Sequence, residues 1–138
     1  IHQELSLVPY MTVAENIYLG RMPSKKNGFV DDRKLETDAY KVLERLGVQD
    51  VIRVNDYPAN LTVAQQQMVE IARALSVDSK ILIMDEATSA LDKENAKIIE
   101  KSLLEEPDIT LILVSHHLEK NEMKKYTKVY HLGEKVSA

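Results

Sequence analysis

The chain has 138 residues, 44% of them apolar, with 18 basic residues against 22 acidic ones and no cysteine. That suits one domain with a small core. It excludes disulfides, thiolate chemistry and cysteine-ligated zinc, and it offers neither a basic stripe for nucleic acid nor a polybasic patch for a membrane.

The apolar runs near Ile81 and Leu111 are far too short to span a bilayer, and IHQELSLVPY at the start has no basic residue ahead of an apolar stretch, so it does not read as a signal peptide. The lack of cysteine fits a cytoplasmic protein. Ile1 reads as the tail of a strand. Thr12-Val-Ala-Glu15 has the spacing of a capping box, which predicts a short helix ending near Gly20. Residues 21–30 hold Pro, Gly and Asn and read as an exposed loop, with Lys25 and Lys26 solvated. In DDRKLETDAYKVLERLG, Leu35, Ala39, Val42, Leu43 and Leu46 recur at helical spacing, and Gly47 suits the position just past a helix. Residues 48–60 look irregular. Thr62-Val-Ala-Gln65 is a second capping box, opening a helix with Met68, Val69, Ala72 and Leu75 on one face.

Ile81 to Met84 is a continuous apolar run of the kind found in strands buried on both faces. Asp92 can cap a helix that runs to about Glu105 with Ala96, Ile99 and Leu103 inward. Ile109–Val114 reads as a second buried strand and Lys128–His131 as a shorter third. Helices followed by β-α-β-α-β predict an α/β fold, a parallel sheet with a helical subdomain attached. We divide the chain at 1–76 and 77–138.

In open α/β sheets, ligands bind beyond the carboxyl ends of the strands. The first apolar run ends there in Asp85-Glu86. Adjacent side chains on an extended backbone point opposite ways. One carboxylate can therefore face a phosphate-bound Mg²⁺ and the other an attacking water. Alone, IMDE is more simply a strand entering a solvated loop. The second strand changes that balance, because LILVSHH ends in Ser115, His116 and His117. A parallel sheet would bring His116 to the same edge as Glu86, where an imidazole can donate to a phosphate oxygen or orient a water. No third ligand stands at a spacing that would make the two histidines a zinc site.

Five segments, in order, resemble the ATP-binding subunits of ABC transporters. IHQELSLVPYMTVAENIYLGR resembles the Q-loop and the start of the helical subdomain, and LTVAQQQMVEIARAL the signature and its helix, both in the wording of ribose- and galactose-type importers. ILIMDE resembles a Walker B strand, Ser89-Ala-Leu-Asp92 the D-loop, and VSHH the switch-histidine loop. The resemblance covers almost the whole chain. It implies part of a P-loop NTPase (RecA-like) sheet with an inserted helical subdomain, working as a head-to-tail dimer with a second nucleotide-binding domain. Carried over, Gln3 and Asp85 would hold Mg²⁺, with Gln3 also reporting to the permease. Glu86 would be the catalytic base and His116 would touch the γ-phosphate of ATP. Thr62, Val63, Ala64 and Gln65 would reach the partner's nucleotide, and Asp92 would lie at the dimer interface. Transmembrane permease subunits would hold the protein at the inner face of the plasma membrane, with no insertion of its own and no nucleic-acid partner.

The sequence departs from that pattern in three ways. Val63-Ala64 stand where the family's signature has two glycines, and DEATSALD is commoner in exporters than in sugar importers. No G-x-x-x-x-G-K-[ST] occurs, the four glycines being Gly20, Gly28, Gly47 and Gly133. The P-loop supplies the phosphate cradle and its lysine. We therefore expect a fragment of a sugar-import ATPase that cannot hydrolyse ATP alone, with an uncovered apolar sheet face that promotes association. The other readings are a non-catalytic module docking to a permease or to another nucleotide-binding domain, and a non-transport ABC protein.

Overall fold

The computed structural model describes residues 6–77, 80–85, 91–114 and 123–130. Helix α1, Val13–Ile17, begins on the expected capping box: Glu15 N–H donates to Thr12 Oγ1 at 3.2 Å and Thr12 N–H to Glu15 Oε2 at 2.6 Å. Five residues are too few for a helix to hold itself. Burial does it instead, because Val13, Ala14, Asn16 and Ile17 all face the core. The helix stops at Ile17 and the chain then turns through Gly20 at φ 78°.

Helix α2, Asp32–Leu46, buries the five predicted apolar residues and ends on Gly47 at φ 75°. A Cβ on Gly47 would stand 3.0 Å from Ile98 Cγ2, so this glycine serves both a left-handed turn and a close approach to the next layer. Residues 48–60 are irregular as expected, apart from a 3₁₀ turn at Pro58–Asn60. They are not mere surface, since Val48, Ile52 and Pro58 are buried. Helix α3, Val63–Leu75, buries Met68, Val69, Ile71, Ala72 and Leu75 and packs on α1 and α2.

Strands β1, Ile81–Asp85, and β2, Thr110–Val114, pair in parallel, joined by helix α4, Lys93–Leu104. The register runs from Ile81 opposite Thr110 to Asp85 opposite Val114. Asp92 caps α4, and Ile99 and Leu103 join Leu82 and Met84 in the core. The expected burial of β1 on both faces holds on one only. Ile81 and Ile83 are 59% and 53% exposed, because nothing among the described residues covers that side. The third strand is a correction: residues 128–130 are irregular and exposed. A strand persists only in a ladder, and the described sheet consists of β1 and β2. His131 lies outside the described residues.

Candidate functional site

Two helices in this chain start on the same words, Thr-Val-Ala, and they are built differently. In α1 the first two helical amides are spent inside the molecule: Val13 N–H donates to Asp56 O at 2.8 Å and Ala14 N–H to Val54 O at 2.9 Å. Both side chains are buried. In α3 the same cap is made: Gln65 N–H donates to Thr62 Oγ1 at 3.2 Å, and Thr62 N–H to Gln65 Oε1 at 2.9 Å. Gln65 Nε2 also donates to Val51 O at 3.2 Å, and Gln66 Nε2 to Pro58 O and Leu61 O, each at 3.0 Å. These bonds lock the helix start in place. The amides of Val63 and Ala64 have no acceptor among the described residues, and Val63 is 56% exposed. The start of α3 thus presents two fixed backbone donors and the positive end of a helix dipole outward. That arrangement suits an anionic group.

Asp92 accepts from Glu94 N–H at 3.1 Å, Asn95 N–H at 2.9 Å and Asn95 Nδ2 at 2.7 Å. The Asn95 amide bonds hold its carboxyl below the usual carboxylate range. Its described role is therefore that of a helix cap. The backbone of Asp85 ends β1 level with Val114 of β2. Glu86 is the next residue along one chain end, and His116 is two past the other. Glu86, His116 and Gln3 lie outside the described residues, as do Ser89, Ser115 and His117.

Sequence reasoning missed the residues that fix the segment leading away from Gln3. Asn16 is fully buried. It accepts from Val8 N–H at 2.7 Å and donates through Nδ2 to Val8 O, Met11 O and Thr12 O at 3.1, 3.0 and 2.9 Å. Its signal was available: an amide placed between Val13 and Ile17 on an otherwise apolar helix face. Ser6, Glu70 and Arg73 form a second fastening at the surface.

Level parallel strands joined by a helix, following three helices packed on one another, define an α/β unit with a helical subdomain. Residues 1–89 match the family model for ABC transporters. The chain belongs to the ABC transporter family. It is 44% identical over 121 residues to a ribose import ATP-binding protein of Streptomyces avermitilis, covering 86% of this chain and 23% of that protein. With a ribose import ATP-binding protein of Rubrobacter xylanophilus it shares 42% over 139 residues, covering 99% and 26%. It therefore spans about a quarter of the length of these relatives. Among solved structures it matches dimeric MJ0796, a bacterial ABC transporter cassette, with a TM-score of 0.72 and 27% identity, over 91% of this chain and 53% of that one. MJ0796 has also been solved in a post-hydrolysis state bound to ADP and Pi, which matches with a TM-score of 0.70 and 28% identity over 85% and 51%. No described helix is long and apolar enough to cross a membrane.

Proposed function

We propose that this chain is the part of an ABC-type ATPase that carries the Q-loop, helical subdomain, signature and hydrolytic strand ends, in a protein that couples ATP hydrolysis to sugar import. The observation that carries the reading is the contrast between the two Thr-Val-Ala starts. The amides of α1 close on Val54 and Asp56, whereas those of Val63 and Ala64 stay open. Two fixed donors at a positive helix end call for an anion. In this family that anion is the phosphate of a nucleotide bound by a second, head-to-tail nucleotide-binding domain.

The level ends of β1 and β2 support the other half of the site. Glu86 continues directly from Asp85, and His116 from Val114 through Ser115. In the proposed site Asp85 and Gln3 hold Mg²⁺. The Glu86 carboxylate accepts a proton from the attacking water, and the His116 imidazole donates a hydrogen bond to a phosphate oxygen. ATP with Mg²⁺ supplies the phosphoryl group and most of the charge neutralisation, so the protein's share is position and proton acceptance. Asp92 adds an interface contact to its cap. Residues 1–76 form the arm toward the permease at the cytoplasmic face of the membrane, and 77–138 the catalytic edge. The sequence contains no G-x-x-x-x-G-K-[ST]. The triphosphate is gripped by a segment outside these 138 residues, and alone they do not hydrolyse ATP.

The test is an ATPase assay on the chain assembled with a P-loop-bearing segment, in wild-type and Glu86→Gln forms. Hydrolysis is expected in the first. A loss of about 10²-fold or more, with ATP binding kept, is expected in the second. Equal hydrolysis by the two forms, or full hydrolysis by the chain alone, refutes the reading.

A further inference from the structure

The stretch that follows Gln3 is fastened to α3 well away from α3's own start. Ser6 N–H donates to Glu70 Oε1 at 2.8 Å, and Ser6 Oγ donates to the same oxygen at 3.0 Å. Arg73 Nη1 donates to Ser6 Oγ at 3.3 Å. One hydroxyl thus bridges a carboxylate and a guanidinium that sit three residues apart on one helix face. Ser6 is exposed, so burial of apolar surface does not account for the contact.

The residues behind Ser6 complete the fastening. Leu7 packs against the core, and both polar groups of the Val8 backbone are held by Asn16 of α1. Helix α1 packs on α3, and beyond it Arg21 reaches the far end of α3, with Nη2 2.7 Å from Ser76 Oγ and Nη1 3.1 Å from Ser76 O. Residues 6–21 are therefore tied to α3 at several points along its second half.

We propose that Ser6, Glu70 and Arg73 are positioning residues. They make the stretch from Ser6 to α1 and helix α3 one rigid piece, so that a displacement delivered at Ser6 reaches the open amides of Val63 and Ala64. The consequence for hydrolysis rests on the function proposed above; the clamp itself does not. Gln3 lies three residues from Ser6, at most about 10 Å of chain. Glu70 lies seven residues, about 10 Å, along α3 from Val63. Because every backbone bond between Glu70 and Val63 is helical, a pull on the side of α3 moves its start rather than bending it. The geometry also explains the charge pair. Glu70 accepts two bonds from Ser6, and Arg73 fixes the hydroxyl's orientation by donating to it.

The test uses Glu70→Ala and Glu70→Gln. In the full 138-residue chain, amide hydrogen exchange at Ser6 should quicken by about tenfold or more in Glu70→Ala, the scale of a lost hydrogen bond to a charged acceptor. Exchange at Met68 and Val69, within α3, should be unchanged, which separates clamp loss from unfolding. Glu70→Gln should restore Ser6 protection, because its amide oxygen can still accept both bonds. In the assembled ATPase, Glu70→Ala should lower kcat several-fold with KM for ATP unchanged, and Glu70→Gln should recover most of it. A merely stabilising contact would instead reduce the amount of folded protein and leave kcat per folded molecule alone. Unchanged Ser6 exchange in Glu70→Ala overturns the clamp. Loosened Ser6 with wild-type kcat overturns the positioning role. An assembly whose wild-type form never hydrolyses ATP refutes the proposed function alone, and the Ser6 exchange then decides the clamp.

Discussion

Replacing Asn16 by Asp changes one nitrogen to oxygen and leaves the side chain's shape intact, so its effect reports on the lost donor and on the ionisable group put in its place. Asn16 Nδ2 lies 3.1, 3.0 and 2.9 Å from the carbonyl oxygens of Val8, Met11 and Thr12, with two protons to share among them. The substitution removes those donors and points an oxygen at three acceptors in a fully buried place. Two lost bonds at about 1 kcal/mol each, plus desolvated carbonyls left unsatisfied, put the destabilisation at about 3–5 kcal/mol at neutral pH. In urea, with a slope of about 2 kcal/mol per molar, the midpoint should fall by about 1.5–2.5 M. The pH dependence supplies the sharper check. The introduced carboxyl can donate a bond only when protonated, so its pKa is raised in the folded state. Its contribution is then fully present below the unfolded carboxylate value and is lost as pH rises through the raised one. The variant should regain stability on acidification relative to Asn16→Ala, which loses the same donors and the acceptor of Val8 N–H as well, with no titrating group. A midpoint at neutral pH close to wild type, or identical pH profiles for Asp and Ala, refutes the donor network.

Thr62→Ala should cost about 1 kcal/mol in chemical denaturation through loss of the α3 cap, and Thr62→Ser should restore it. Gly47→Ala places a methyl 3.0 Å from Ile98 Cγ2 in a left-handed backbone; we expect about 1–2 kcal/mol of destabilisation, reduced when Ile98→Val is added in a double-mutant cycle. Asp92, its carboxyl held below the ordinary value by Asn95, contributes stability that is present above the unfolded carboxylate value and lost as pH falls through the lowered one. Asp92→Asn keeps a capping oxygen and should flatten that part of the acid titration, as followed by circular dichroism.

Much of the local structure was legible because it is written in short-range patterns. The α2 stripe of Leu35, Ala39, Val42, Leu43 and Leu46 needs only a helical period to be read, and the boxes at Thr12 and Thr62 need only four residues each. What decides between those boxes is long-range. The carbonyls of Val54 and Asp56 come from an irregular stretch whose path no periodicity encodes, and they close the start of α1 while α3 stays open. The amide on the apolar face of α1 marked Asn16 as a residue in need of partners, but not which ones, since the carbonyls of Val8 and Met11 come from the turn ahead of the helix. The apolar run at Ile81 spelled a strand correctly and overstated its cover, because an unbroken apolar run does not say which of its two faces is packed. The parallel pairing of β1 and β2 followed from the β-α-β order, whereas the register that levels their ends did not. The side chains expected to do the chemistry at those ends, Glu86 and His116, fall outside the described residues.

The open start of α3 also changes the meaning of Val63 and Ala64. Glycines at these two positions would let a phosphate come closer, since helical Cβ atoms lean toward the N-terminus and into the approach. Yet the groups that would bind are backbone amides, and their direction is set by the cap rather than by the side chains beside them. Here the cap is reinforced beyond the usual box, by Gln65 to Val51 and by Gln66 to Pro58 and Leu61. Replacing glycine by alanine in a helical position also removes about 1 kcal/mol of backbone entropy cost. This helix start therefore trades closeness of approach for rigidity. A rigid start is what the Ser6 clamp requires, because a displacement delivered to the side of α3 arrives at its amides only if the first turn does not fray.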